Sequence, residues 1–346
     1  MTLPREAVTD GSAIAFDGVG VDYPGADRPA VDGISLEVAQ GELVVLLGPS
    51  GCGKTTLLKT VNRLVELTTG RVLLEGRDAA SVPATDLRRR IGYAIQATGL
   101  FPHMTVGANI AVVPRLLGWS PERIEARVAE MLELVNLPRE YAARYPRQLS
   151  GGEAQRVGIA RALAADPGFL LMDEPFGAID AINRERLQDG LLEIQARLHK
   201  TILFVTHDVD EAVRLADRIA VLRDGSLVQY APPLELLVSP ADDFVADLVS
   251  ADDVFRQLSL MAVGAVMLSS GCAPQADAPQ DALSGARPIV RADASLRTAL
   301  TQLLRSGADK LDVVDERGNF AGCLGLAEVR RMITARDTAH GPRGDG

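Results

Sequence analysis

The chain of 346 residues is long enough for one large domain with a smaller companion, or for two ordinary domains. With 47% hydrophobic and 24% charged residues it can build a packed core, and its net charge of −10, from 36 Lys and Arg against 46 Asp and Glu, argues against a nucleic-acid partner. Three cysteines, Cys52, Cys272 and Cys323, are odd in number and widely spaced, so neither a disulfide framework nor a zinc site is expected, and a reducing, cytosolic compartment fits.

The opening Met1-Thr2-Leu3-Pro4-Arg5-Glu6 has no apolar run and does not read as a signal peptide. Short strands are predicted over 13–16 and 34–38, and residues 42–47 form an apolar run of strand length that ends at Gly48, the pattern of a buried parallel strand. A glycine-rich loop and a helical stretch over 56–64 follow. Arg88-Arg89-Arg90 reads as a solvated helix end. Ile124, Val128, Met131, Leu132 and Val135 repeat with a helical period over 121–137. Strands are predicted again over 169–172, 201–205 and 218–222, with a helix over 183–198 between them. This alternation predicts an α/β domain with a mainly parallel sheet.

Composition changes near residue 250. The apolar stretch 260–268 falls far short of the roughly 20 residues that span a bilayer, so membrane contact is expected through a partner. Residues 273–288, rich in Ala, Pro, Gln and Asp, read as a linker. Order is expected to return with a helix over 295–304, strands over 311–314 and 320–324 joined by a turn at 315–318, and a helix over 326–333; the tail 336–346 is expected to be disordered.

The strongest single motif is Gly48-Pro49-Ser50-Gly51-Cys52-Gly53-Lys54-Thr55, which fits the P-loop pattern G-x-x-x-x-G-K-[ST]. Glycines let backbone N–H groups approach phosphate, and the helix that follows adds its positive end. Lys54 supplies a point charge for the β- and γ-phosphates, and the Thr55 hydroxyl is a hard oxygen ligand suited to Mg²⁺. Cys52 reads as a loop residue, since no histidine base stands near it in sequence. Further on, Phe169-Leu170-Leu171-Met172-Asp173-Glu174 is an apolar strand ending in two acids, a costly arrangement unless the charges are used. In P-loop enzymes the first acid serves the Mg²⁺ shell, which selects Asp173, and Glu174 then stands as general base for the attacking water.

Leu149-Ser150-Gly151-Gly152-Glu153 resembles the LSGGQ signature of ABC ATPases, with Glu where Gln is commonest. The resemblance covers residues 1–249 and implies a P-loop NTPase (RecA-like) α/β cassette with an antiparallel β edge and a helical subdomain over 98–160. It implies that two copies pack head to tail, with each ATP held between the P-loop of one and Ser150, Gly151 and Gly152 of the other. It further implies that Tyr23 stacks on adenine and that Thr56 joins the nucleotide set. Gln96, after Ile91-Gly92-Tyr93-Ala94-Ile95, resembles the Q-loop glutamine that reaches Mg²⁺ and water and senses the membrane partner. His207 resembles the switch histidine at the γ-phosphate, and Gly177-Ala178-Ile179-Asp180 the D-loop, with Ile179 in place of the usual Leu. His103 and His199 lack such context and are expected at the surface.

One cassette without membrane spans implies separate transmembrane permease subunits at the cytoplasmic face of the membrane and, indirectly, a substrate-binding protein. Gly99-Leu100-Phe101-Pro102-His103-Met104-Thr105-Val106 and Val113-Pro114-Arg115-Leu116-Leu117-Gly118-Trp119 resemble the glycine betaine, choline, carnitine and proline importers. Beyond the connector and linker at 250–288, residues 289–335 resemble a small α/β CBS-type motif, carried by Ala294-Ser295-Leu296, Ala299-Leu300, Leu311-Asp312-Val313-Val314-Asp315 and Gly318. Such motifs come in pairs, and one copy is evident here, with 263–267 standing as a remnant of another; a sensor of ionic strength or nucleotide and an inert cap both stay open. Two other readings of the cassette remain: a soluble ABC ATPase, which usually carries two cassettes in one chain or a long coiled-coil insertion, and a nucleotide-sensing module, which the intact Glu174 and His207 oppose.

Overall fold

The alternating apolar runs and amphipathic stretches fold as strands and helices in a computed structural model that describes residues 12–95, 99–177, 179, 181–250, 254–267 and 287–329. They fall into two compact units, Met1–Pro233 and Leu234–Gly346. The first unit opens with Ser12–Val21 (β1), Val31–Ala39 (β2), Leu43–Leu47 (β3), Lys54–Val61 (α1), Thr69–Leu74 (β4), Arg77–Asp78 (β5), Ala84–Arg89 (α2) and Ile91–Ala94 (β6). Four helices follow without a strand between them: Val106–Ile110 (α3), Val112–Leu116 (α4), Pro121–Leu134 (α5) and Gly151–Leu163 (α6). The alternation then resumes with Phe169–Asp173 (β7), Ala181–Leu198 (α7), Thr201–Val205 (β8), Val209–Leu215 (α8), Arg218–Arg223 (β9) and Ser226–Ala231 (β10), and Pro233–Val238 (α9) opens the second unit.

A six-stranded sheet runs in the order β10-β9-β3-β8-β7-β6, parallel throughout except where β10 turns back antiparallel on β9. Every residue of β3, β7 and β8 is buried, the reason their sequences are nearly continuous apolar runs, broken only by Thr201 and the terminal Asp173, rather than alternating ones. The expected antiparallel edge is a separate four-stranded sheet in the order β2-β1-β4-β5. Phe16 and Ile34 from that sheet share one core with Leu46, Leu171 and Leu203 of the parallel sheet and with Leu57 and Leu58 of α1. Register fixes what stands at the carboxyl ends of the strands: Leu46 pairs with Val205, and Val205 with Asp173. The loops that leave β3, β7 and β8 therefore start from one level, the edge of an open α/β sheet where ligands bind.

The helical subdomain is set by its caps. Thr105 accepts a hydrogen bond from the Ala108 N–H at 3.2 Å to start α3, and Ser120, ahead of Pro121, accepts one from Arg123 to start α5. Arg127 of α5 donates to the carbonyls of Ala164 and Leu163, closing the end of α6. Asn109 is fully buried; it accepts from the Phe101 N–H at 2.7 Å and donates to the carbonyls of Phe101, Met104 and Thr105, so one side chain fixes the loop before α3.

The second unit continues with Asp243–Val249 (α10), Val254–Leu260 (α11), Ile289–Arg291 (β11), Leu296–Ser306 (α12), Lys310–Val314 (β12) and Phe320–Gly325 (β13). Strands β11 and β12 are parallel across α12, and β13 returns antiparallel. Ser295 caps α12 by accepting from the Thr298 N–H, Gly307 ends it in a left-handed conformation, and Asp315 ties the β12–β13 turn by accepting from the N–H groups of Arg317 and Asn319. Two expectations change here. Residues 263–267 do not stand apart as a second repeat: Val263 and Gly264 donate to the carbonyls of Ala294 and Ala292, and Val263 is buried in the same core as Leu296, Leu311 and Leu324. Wide cysteine spacing also proved no bar to pairing, because Cys323 is disulfide-bonded, with its partner outside the described residues, while Cys52 is free. Of the helix expected over 326–333, residues 326–329 are helical and the rest lies outside the described residues, as do most of the linker and the tail.

Replacing Asn109 by Ala strands the Phe101 N–H and three carbonyls. Asn109→Ala is expected to lower stability by about 1–3 kcal/mol in urea unfolding; an unchanged midpoint would show that water replaces the side chain at no cost.

Candidate functional site

Between β3 and α1 the chain wraps a loop that only glycine permits at two points. Gly48 and Gly53 have φ of 152° and 103°, and a Cβ there would run into the carbonyl oxygens of Leu222 and Ala30. The loop is pinned further by Gly225, whose N–H donates to the Cys52 carbonyl. Pro49, Ser50 and Gly51 are exposed at its crest, Gly53 caps α1, and Thr55 and Thr56 are half-buried in the first turn. Lys54 is buried and donates from Nζ to the Gly48 carbonyl at 2.7 Å and to the Pro49 carbonyl at 2.9 Å, so its charge sits inside the loop. Cys52 is buried too; burial pushes its thiol pKa up against the opposing pull of Lys54, which agrees with a loop residue rather than a nucleophile. Tyr23 lies just past β1 with its side chain exposed, in the connection that returns through Ala30 to the loop.

Thr55 Oγ1 donates to Asp173 Oδ1 at 2.8 Å, joining the phosphate loop to the end of β7. Lys59 Nζ stands 4.0 Å from the other Asp173 oxygen. Two hard oxygen donors at this spacing fit Mg²⁺, which usually takes one or two protein ligands and completes its shell with water and substrate phosphates. Sequence reasoning missed a further group beside this carboxylate: Tyr93, the third residue of β6, stands close enough to feel the Asp173 charge. Burial, and next the Asp173 charge, push the phenol pKa up, so Tyr93 stays neutral. Strand pairing was the available signal, since Tyr93 lies opposite Leu171 on β7.

Glu174, the next residue, holds a left-handed φ of 45° that non-glycine residues rarely adopt, anchored by its N–H donating to the Val205 carbonyl at 2.9 Å. The twist turns its side chain toward β8, where His207 Nδ1 lies 3.2 Å from Glu174 Oε1. A carboxylate accepts only, so this contact assigns the proton to Nδ1 and leaves Nε2 open. A cavity of about 30 Å³ beside the pair is lined by Phe176, Arg184, Thr206 and Asp208. The arrangement suits polarising a water against a phosphate.

Ser150 caps α6 through a reciprocal pair: its Oγ accepts from the Glu153 N–H at 3.3 Å, and its own N–H donates to Glu153 Oε2 at 2.7 Å. Tyr141 donates to the other Glu153 oxygen at 2.7 Å, and the Ser150 N–H with this phenol holds the carboxyl below the usual range. Gly151 is exposed with open space around it, and Gly152 is half-buried. His103 and His199 are exposed, as expected. Gln96 and Asp180 lie outside the described residues. The structure thus brings together the P-loop, Asp173, Glu174 and His207.

The family described as ABC transporter matches residues 31–177. The osmoprotectant import ATP-binding protein OsmV of Salmonella typhimurium is 51% identical over 247 residues, covering 71% of this chain and 65% of that protein. The carnitine transport ATP-binding protein OpuCA of Listeria monocytogenes is 42% identical over 327 residues, 93% of this chain and 78% of that one. Among solved structures, a dimeric post-hydrolysis state of an ATP-binding cassette bound to ADP and Pi is similar with a TM-score of 0.58 and 30% identity, over 64% of this chain and 98% of that one. With this cassette fold, this phosphate loop and this extent of identity, the chain belongs to the ABC transporter family, as an ATP-binding subunit that couples ATP hydrolysis to transport.

Proposed function

We propose that this chain energises the import of glycine betaine or a related quaternary amine or osmolyte, working as a head-to-tail pair of copies on transmembrane permease subunits at the cytoplasmic face of the membrane. The observation that carries the catalytic part is the meeting, at one end of the parallel sheet, of the phosphate loop, Asp173 and the Glu174–His207 pair. In this reading the loop N–H groups and Lys54 bind the phosphates, and Tyr23 stacks on the adenine. Thr55 and Asp173 hold Mg²⁺, which when bound neutralises phosphate charge. Glu174 takes the proton of the attacking water, and His207 keeps the carboxylate aimed. Ser150, Gly151 and Gly152 receive the γ-phosphate of the partner copy's ATP at the start of α6, and Gln96 and Asp180 link hydrolysis to the permease and to the second copy.

The cargo assignment is supported by the names of the relatives and by the wording of 99–106 and 113–119. No helix of the described residues is long and apolar enough to cross a membrane, in keeping with a subunit that depends on a separate permease and, through it, on a substrate-binding protein. The CBS-like segment at 289–335 is the candidate sensor of ionic strength or nucleotide.

Reconstitution with its permease in liposomes tests the transport reading. ATP hydrolysis should rise when glycine betaine and its binding protein are added outside, and rise further with internal salt if the C-terminal segment is a sensor. A rate indifferent to every quaternary amine would overturn the cargo, and substrate stimulation without a salt response would make that segment a cap. Independently, Lys54→Ala should weaken ATP binding by about 10- to 100-fold in calorimetric titration, since a charge-assisted phosphate contact is lost; retained affinity would refute the cradle.

A further inference from the structure

Arg184, in the first turn of α7, is not explained by the roles above. A cation at a helix N-terminus is electrostatically misplaced. The ion pair it forms with Asp208 is about one-third exposed on both sides, where such pairs add little stability. Its Nε is buried without a hydrogen-bond partner, a further cost. The two terminal nitrogens, by contrast, are placed on separate structures. Nη1 donates to Asp208 Oδ2 at 3.0 Å, and Nη2 donates to the Ile179 carbonyl at 3.1 Å.

Those two acceptors belong to the two segments that leave the hydrolytic pair. From Glu174 the chain turns through two backbone hydrogen bonds, Gly177 N–H to the Glu174 carbonyl and Ile179 N–H to the Phe176 carbonyl. The Ile179 carbonyl then meets Arg184, and Arg184 meets Asp208. Asp208 is itself fixed, its N–H donating to Thr206 Oγ1 at 3.0 Å and its Oδ1 accepting from the Glu211 N–H at 3.1 Å to cap α8. His207 lies between Thr206 and Asp208, and its contact with Glu174 Oε1 completes a closed ring of polar contacts around the small cavity. Arg184 is the residue that bridges the two halves of that ring. A planar fork can hold two acceptors in fixed relation, which a lysine cannot.

We propose that Arg184 is a positioning residue for ATP hydrolysis: it holds the turn bearing His207 in register with the segment that follows Glu174, so that movement of that segment moves the histidine. The inference rests on the assignment of Glu174 and His207 to the hydrolytic step. The contact it protects is already 3.2 Å long, and a displacement of the turn by about 1 Å would break it. Misplacement on that scale costs up to about 100-fold in rate.

The test is steady-state ATP hydrolysis by the full chain assembled with its permease, for Arg184→Gln, Arg184→Lys, Asp208→Asn, the Arg184→Gln/Asp208→Asn double variant and His207→Ala, with thermal midpoints measured alongside. Arg184→Gln should lower kcat by about 10- to 100-fold with KM for ATP and the thermal midpoint unchanged. Arg184→Lys, which reaches one acceptor at a time, should fall between, and it keeps the question open to measurement if the Gln variant does not fold. The double variant should be no slower than the slower single variant, because both remove one link. Full turnover in Arg184→Gln beside lost turnover in His207→Ala would overturn the role of Arg184 and leave the hydrolytic pair standing. Full turnover in both would overturn the pair and this inference with it. A fall in kcat that tracks a loss of folded protein in both Arg184 variants would make the residue structural and equally overturn the proposal.

Discussion

The hydrogen bond from Thr55 to Asp173 is the contact on which the site depends. It links two loops whose strands are not neighbours: β3 and β7 flank β8, and the bond spans the end of the strand between them. Because all three strands are buried and parallel, with Leu46, Val205 and Asp173 in register, their loops emerge at one level. The phosphate cradle, the paired acids and the histidine turn are thereby delivered to one place, although they stand far apart in sequence. The sheet's register, and no single motif, makes the site.

Strain is concentrated at the same edge. Glu174 keeps a left-handed backbone, and the surrounding structure holds it there through the Val205 carbonyl. An ordinary extended residue would carry the strand straight on past β8 and aim the carboxylate elsewhere; the twist is what brings it to His207. At α6 the departure from the usual signature has a local explanation. Glu153 accepts from the Ser150 N–H and from Tyr141, and a Gln would offer the same acceptor to Ser150 while its amide turned to the phenol oxygen. The exchange alters charge at the start of the helix without altering how the cap is built.

What could be read from the sequence was what is contiguous in it. The apolar runs at 42–47, 169–172 and 201–205 announced buried parallel strands, and strands were found at 43–47, 169–173 and 201–205. The P-loop and the acids at 173 and 174 were legible because their chemistry needs adjacent residues. Contacts made by the fold were not legible. Tyr93 reaches Asp173 only because β6 pairs with β7, and Arg184 reaches Asp208 only because α7 and α8 leave neighbouring strands. The same blindness explains two corrections in the second unit. Wide spacing of cysteines does not prevent the chain from bringing Cys323 to a partner, and 263–267 joined the core of the one motif although the linker separates them in sequence.

The central claim is that ATP is enclosed between the phosphate loop of one copy and the signature of another, and opened by chemistry at Glu174. Light scattering on the full chain carrying Glu174→Gln measures this directly, with ATP and Mg²⁺, with ADP, and without nucleotide. The account predicts a stable doubling of mass with ATP alone. A single-copy mass under all three conditions, with ATP bound, would contradict it.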